Sequence, residues 1–420
     1  NEPPLPPEVT MTHAQACAQP APRSPFAFVG RAGRAARALP TVVSALTLVV
    51  GALTLAPAPT HAADPITTQE YVSYYHLDSA RQKGYTGKGV TIALIDGPVD
   101  TSAPELAGAN ITDKSRCTIE DSAKGIRHGT DMATILVSPY TGVAPDATLY
   151  SYQLSNNSSI SEGTCKADGK RLNSFDTLIN QAVEDGAQII SISQGTGYLG
   201  TAAKWAIANA ITHGVIIVAS AGNASDDENT THLGRYSGVV GVSAINTDGT
   251  FASYSSWGNG VVTAAVGGPF NTLDENTNQP TTVQGTSMST ALVAGMLALA
   301  RQKWTDATPN QILQSLVHSG LNPNHEWNQY TGYGAIDGGG LVIDDPSQYP
   351  DENPILDKPG GSEPTADEVA DYADGLVSPT STVDLPDSYV YRGADDQVVL
   401  YQSDLKTPLH IGTSPRYHRK

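Results

Sequence analysis

QIISISQGTGYLGTAAKWAIANA, residues 188–210, joins an apolar run to a helical pattern through Gly195, Gly197 and Gly200. Strand, glycine turn and helix form the repeating unit of a parallel sheet. In that setting GxGxxG is also the fingerprint of a dinucleotide-binding fold, whose pyrophosphate rests on the helix amino terminus. The two readings part about 20 residues later, where a dinucleotide site carries a carboxylate for the ribose hydroxyl at the end of the next strand. That strand, VIIVASAGN (215–223), ends near Ala219 and Ser220, and Asp226 comes too late, in a loop. The cofactor reading fails this test and the fold reading stands.

The same rhythm extends in both directions. GVTIALID (89–96), ATLYSYQL (147–154), AQIISISQ (187–194), GVIIVASAG (214–222) and VVGVSAIN (239–246) read as buried strands. Between them, SFDTLINQAVEDG (174–186) and TAAKWAIANAITHG (201–214) have helical spacing and end on glycine, as helices commonly do. TPNQILQSLVHSG (308–320) begins a further helix, with Thr308 as cap and Pro309 in its first turn. The expected fold is α/β, a doubly wound, mostly parallel sheet with helices on both faces.

The ends differ in texture. Residues 1–63 place Arg31, Arg34 and Arg37 before TVVSALTLVVGALTLA (41–56) and small residues around Ala62 and Ala63. This is the pattern of a secretory signal; a retained membrane anchor is the competing reading. Removing residues 1–63 takes the formal charge from −18 to about −20, a field that repels nucleic acid and anionic lipid. In the remaining chain Cys117 and Cys165 are expected to form one disulfide, which would stabilise by about 4 kcal/mol through loop closure. No Cys/His cluster with metal-ligand spacing occurs, so neither a metal nor a cofactor is assigned. After residue 345 the acidic, proline-rich stretch DDPSQYPDENPILDKPGGSEPTADEVADYADG (344–375) reads as a linker. SYVYRGADDQVVLYQ (388–402) reads as a hairpin or the start of another module. The expected organisation is an extension with signal at 1–63, a catalytic domain at 64–345 and a tail at 346–420.

Serine nucleophiles need a base, a carboxylate to orient it and donors for the oxyanion. Asp96 ends an apolar strand, His128 stands in RHGTDMATILV (127–137) at a helix head, and Ser287 stands in VQGTSMST (283–290) ahead of the apolar helix ALVAGMLALARQKW (291–304). For Thr286 or Ser287 alone, capping that helix is the simpler reading. Three such residues in the order Asp, His, Ser point instead to a triad.

The motifs GKGVTIALIDGPVDTSAPEL (87–106), HGTDMATIL (128–136) and GTSMSTALVAG (285–295) resemble those around the catalytic Asp, His and Ser of the subtilases, the subtilisin-like serine endopeptidases. GVAPDATLYSY (142–152) and YGAID (333–337) match the family's framework, so the resemblance spans roughly residues 70–345. It implies an oxyanion role for Asn223 in VASAGN, with the Ser287 amide as second donor. Asn223 also opens a nominal glycosylation sequon, and a sugar there would block that role. The resemblance further implies that Ser193, Gln194 and Gly195 pair with the substrate backbone and wall its main pocket. The three glycines then serve close approach to an extended peptide.

This chain departs from the family pattern in places. Gly97 and Pro98 follow the aspartate where a hydroxyl residue and glycine are usual, removing a hydroxyl that would support the carboxylate. Gln194 occupies an often apolar position, Ala103 and Asp131 replace common histidines, and Ala291 replaces a proline. Asp131 is expected on a solvated helix face. The stretch between Ala63 and YTGKGV (85–90) is too short for a prosegment with its own core. Mycosin-type subtilases of type VII secretion also lack such a domain, which makes secretion-system components candidate partners. The expectation is an exported or cell-envelope serine endopeptidase acting on peptide or protein substrates, with no stable membrane span in the mature chain. The alternative is a catalytically idle scaffold that binds extended peptides.

Overall fold

The computed structural model describes residues 64–154, 165–167, 170–195, 199–227 and 233–377. In chain order its elements are α1 (Glu70–Tyr74), α2 (Leu77–Gln82), β1 (Thr91–Asp96), β2 (Ile111–Asp113), α3 (Ala123–Val137), β3 (Thr148–Gln153), β4 (Lys166–Ala167), β5 (Lys170–Arg171), α4 (Phe175–Glu184), β6 (Ile189–Ile192), α5 (Gly200–Thr212), β7 (Ile216–Ser220), β8 (Val239–Ile245), β9 (Val261–Val266), β10 (Phe270–Leu273), β11 (Pro280–Val283), α6 (Thr286–Lys303), α7 (Pro309–His318), α8 (Gly338–Ile343) and α9 (Ala366–Ala373). The five apolar runs form β1, β3, β6, β7 and β8, and the three helical patterns form α4, α5 and α7. Thr308 caps α7 by accepting the Gln311 amide, and the Gln311 side chain closes the capping box.

Seven strands form one sheet in the order β2-β3-β1-β6-β7-β8-β9, with every neighbouring pair parallel. Alternation along each strand divides the core. Ile92 and Leu94 of β1 face a cluster shared with α3, α6 and α7, whereas Ala93 and Ile95 face one shared with α4 and α5. The sheet is thus covered on both faces, as the unbroken Val- and Ile-rich runs require. From β1 the chain passes to β2 at the sheet edge, returns to β3 beside β1, then crosses to place β6 on the other side of β1. Winding that reverses in this way leaves an open crevice at the strands' carboxyl ends. Asp96 and the Ser193–Gln194 segment emerge there.

Helix α6 is buried along its length from Thr286 to Ala300, so it is enclosed all round rather than striped. It approaches the segment after α3 closely enough that a Cβ at Gly295 would sit 2.6 Å from the Val143 side chain. Among the described residues no helix is long and apolar enough to cross a membrane. Cys117 and Cys165 are joined as a disulfide.

The acidic stretch after residue 345 lies packed on the domain, at least to residue 377. Trp205 of α5 stacks on Tyr372 of α9, and Lys204 pairs with Glu368 at 2.6 Å. Lys358 is 4% exposed and donates to the carbonyl oxygens of Gly234, Val239 and Gly260. Burial pushes its ammonium down to about 7. The proline-rich, acidic composition of this stretch reads as linker; a few buried anchors hold it to the domain instead. Residues 1–63 and 388–402, with their signal and hairpin readings, lie outside the described residues.

Candidate active site

Asp96 is the last residue of β1 and is fully buried. His128 lies within α3, which begins at Ala123 under a Ser122 cap, so the histidine is further into the helix than its motif indicates. Two glycines let α3 meet the loop after β1. A Cβ at Gly97 would stand 2.4 Å from the Gly125 carbonyl oxygen, and one at Gly129 would stand 2.4 Å from the Gly97 carbonyl oxygen. This backbone contact brings His128 Nδ1 to 2.7 Å from Asp96 Oδ1. The same oxygen accepts the Gly97 amide at 2.7 Å and Gln194 Nε2 at 2.6 Å. Asp96 Oδ2 is buried with no hydrogen-bond partner among the described residues.

Burial acts to lower the pKa of His128, but the Asp96 charge, its hydrogen bond and a further pull from Asp131 outweigh that and raise it. Asp131 itself is not on a solvated face. It is 7% exposed, pairs with Arg127 at 2.6 Å and accepts from Thr272 Oγ1 at 2.7 Å. Arg127 also pairs at 2.7 Å with the fully buried Glu105. The expectation of a solvated face is corrected because the β10–β11 hairpin, through Thr272, and Glu105, through Arg127, cover this side of α3.

At the start of α6 the capping reading fails. Gly285 holds the cap position, so neither Thr286 nor Ser287 caps the helix. Asn223 Oδ1 instead accepts both the Thr286 amide at 2.8 Å and Thr286 Oγ1 at 3.1 Å. These bonds fix which way the Asn223 carboxamide faces, with Nδ2 as its donor end. Ser287 follows as the second helical residue, where an amide has no intrahelical acceptor. Its hydroxyl donates to the Ser193 carbonyl oxygen at 3.0 Å, and Ser193 Oγ donates back to the Ser287 carbonyl oxygen at 3.1 Å.

Asp96, His128 and Gln194 are therefore in direct contact, as are Ser193 and Ser287, and the consecutive residues 193 and 194 bring the two groups into one crevice. The Asp96–His128 link is closed. Ser287 makes its hydrogen bond to Ser193 rather than to His128. Gly195 ends the described part of its loop on the exposed side, and Gly197 lies outside the described residues. The Gln194 side chain, expected to wall a substrate groove, turns inward onto Asp96. Spacing does not reveal that orientation, nor the part played by Thr286; a polar residue in an often apolar slot was the one signal present.

The family model described as the subtilase family matches residues 87–334. Subtilisin E of Bacillus subtilis is 29% identical over 259 residues, covering 58% of this chain and 64% of the relative's length. The chain thus spans less than two thirds of that curated relative. Among solved structures, MycP1 from the ESX-1 type VII secretion system superposes with a TM-score of 0.55 at 24% identity, covering 71% of this chain and 90% of the other. MycP1 from Mycobacterium smegmatis gives 0.53 at 23% identity, covering 71% and 88%. At such identities these two structures speak to the fold.

Proposed function

Because the chain belongs to the subtilase family, we propose that it is a serine endopeptidase in which Ser287 attacks the scissile carbonyl of a peptide or protein substrate. The observation that carries this reading is the 2.7 Å contact between His128 and a buried carboxylate, in the crevice that also holds Ser287 at a helix amino terminus.

In the reaction, the Ser287 hydroxyl turns from Ser193 to His128 Nε2 and yields its proton as Oγ bonds to the carbonyl carbon. The carbonyl π electrons move onto oxygen. Asn223 Nδ2 and the Ser287 amide donate to that oxyanion. His128 then protonates the departing amine, and a water repeats the sequence to release the acyl group. Asp96 orients the imidazole and stabilises its charged form. The substrate lies along Ser193–Gly195, adding its backbone as a strand.

An organophosphonate probe on the full chain tests this. Stoichiometric labelling, with cleavage of a mixed peptide library, is expected. A folded protein that never labels would leave the peptide-binding scaffold and end the enzyme reading. Asn223→Ala is expected to lower kcat by roughly 10² to 10³ with little change in KM, since its donor meets charge present only in the transition state. Steady-state kinetics on a chromogenic peptide would check it; an equal rise in KM would relocate Asn223 to substrate binding.

Export rests on the arginine flank and apolar run of residues 1–63, with cleavage near Ala62 or Ala63 and action outside the cell or at its envelope. The catalytic domain extends from residue 64 through 345, with residues 346–377 docked on it. Secretion-system components remain a candidate partner on the sequence resemblance alone.

A further inference from the structure

We propose that Gln194 is a positioning residue, its side-chain amide holding the Asp96 carboxylate in register for His128 in place of the hydroxyl that residue 97 does not supply. This rests on the endopeptidase reading and names a component of the same site. Three observations carry it. Gln194 Nε2 stands 2.6 Å from Asp96 Oδ1 and 3.3 Å from His128 Nδ1, so it braces the carboxylate at the point where the imidazole meets it. With Oδ2 unpartnered among the described residues, the Gly97 amide, His128 and Gln194 all meet the carboxylate at Oδ1 and set its rotation. Finally, Gly97 cannot regain a side chain cheaply, because its Cβ would press into the Gly125 backbone at 2.4 Å.

The close approach of α3 and the supporting hydroxyl are thus alternatives at position 97. Glycine buys the approach, and the lost donor is replaced from the end of β6. A carboxamide suits this role because its N–H is neutral, and the anion keeps its full charge for the imidazolium. Gln194 also follows Ser193, the acceptor for the Ser287 hydroxyl, so one short segment touches both halves of the site.

The test compares the full chain with Gln194→Leu and Gln194→Glu. Leucine keeps the bulk and removes the donor; glutamate keeps the shape and sets a second carboxylate against Asp96. Loss of one hydrogen bond to a charged group predicts kcat lower by about 10- to 100-fold in Gln194→Leu, with KM within about threefold. Gln194→Glu is expected to fall further at neutral pH. The downfield proton resonance of the His128 Nδ1–H bond is expected sharp in the parent and broadened in Gln194→Leu. Folding of each variant is checked by thermal melting. Unchanged kcat with altered KM or side-chain preference would overturn the inference and return Gln194 to the substrate wall. So would an unchanged resonance in Gln194→Leu. The resonance is read without turnover, so a parent that shows it yet never labels with phosphonate would defeat the endopeptidase reading separately.

Discussion

Ser287→Ala loses turnover by roughly 10⁶-fold while the protein keeps its fold, if the hydroxyl is the nucleophile. The position favours a clean result. Ser287 is 7% exposed at the second position of α6, where alanine is a good helix former, and the substitution deletes a single hydrogen bond, to Ser193. That loss is expected to cost on the order of 1 kcal/mol of stability, a small fraction of what a domain of this size holds. The Ser193 hydroxyl keeps its own bond to the Ser287 carbonyl, so the strand end stays tied to the helix. Hydrolysis of a fluorogenic peptide and phosphonate labelling, read beside the melting curve, settle the matter. Labelling that survives in the alanine variant would mean the nucleophile lies elsewhere.

Asp96→Asn is the second large effect, with kcat lower by roughly 10⁴. The asparagine fits the same buried space, but its carboxamide selects the wrong imidazole tautomer and carries no charge to stabilise the imidazolium. A change in pH dependence follows from the same cause. His128 must be neutral to act as base. In the parent, burial works to lower its pKa and the Asp96 charge and hydrogen bond more than reverse this, so the pKa stands above the ordinary value of 6.5. Activity is therefore lost as pH falls through that raised value. Without the carboxylate the opposing effect of burial prevails, and the acid limb of kcat/KM moves down. A pH profile of the residual activity measures it. A limb that stays in place would mean that another anion, Asp131 being the nearest candidate, governs the imidazole.

Much of this was legible in the linear chain because it depends on local periodicity. Fully covered parallel strands must be apolar on both faces, so β1, β3, β6, β7 and β8 appear as unbroken runs. Elements with weaker patterns were not legible: β9 is partly alanine, β11 begins with proline, and α9 sits in an acidic stretch whose anchors are single residues such as Lys358 and Tyr372. Their stability comes from partners far along the chain, which no window of sequence contains.

The order of Asp96, His128 and Ser287 and the helix after the serine were properties of the sequence itself, since a strand end and a helix start are local features. Only the folded chain decided how these residues meet. The approach of α3 depends on Gly97 and Gly129 admitting backbone contact, the inward turn of Gln194 on the pairing of β6 with β1 that sets it beside Asp96, and the burial of Asp131 on a hairpin that arrives some 140 residues later. Each is a through-space consequence of packing, and the energy of a buried charge or an unpaired donor is set by what surrounds it rather than by its neighbours in sequence.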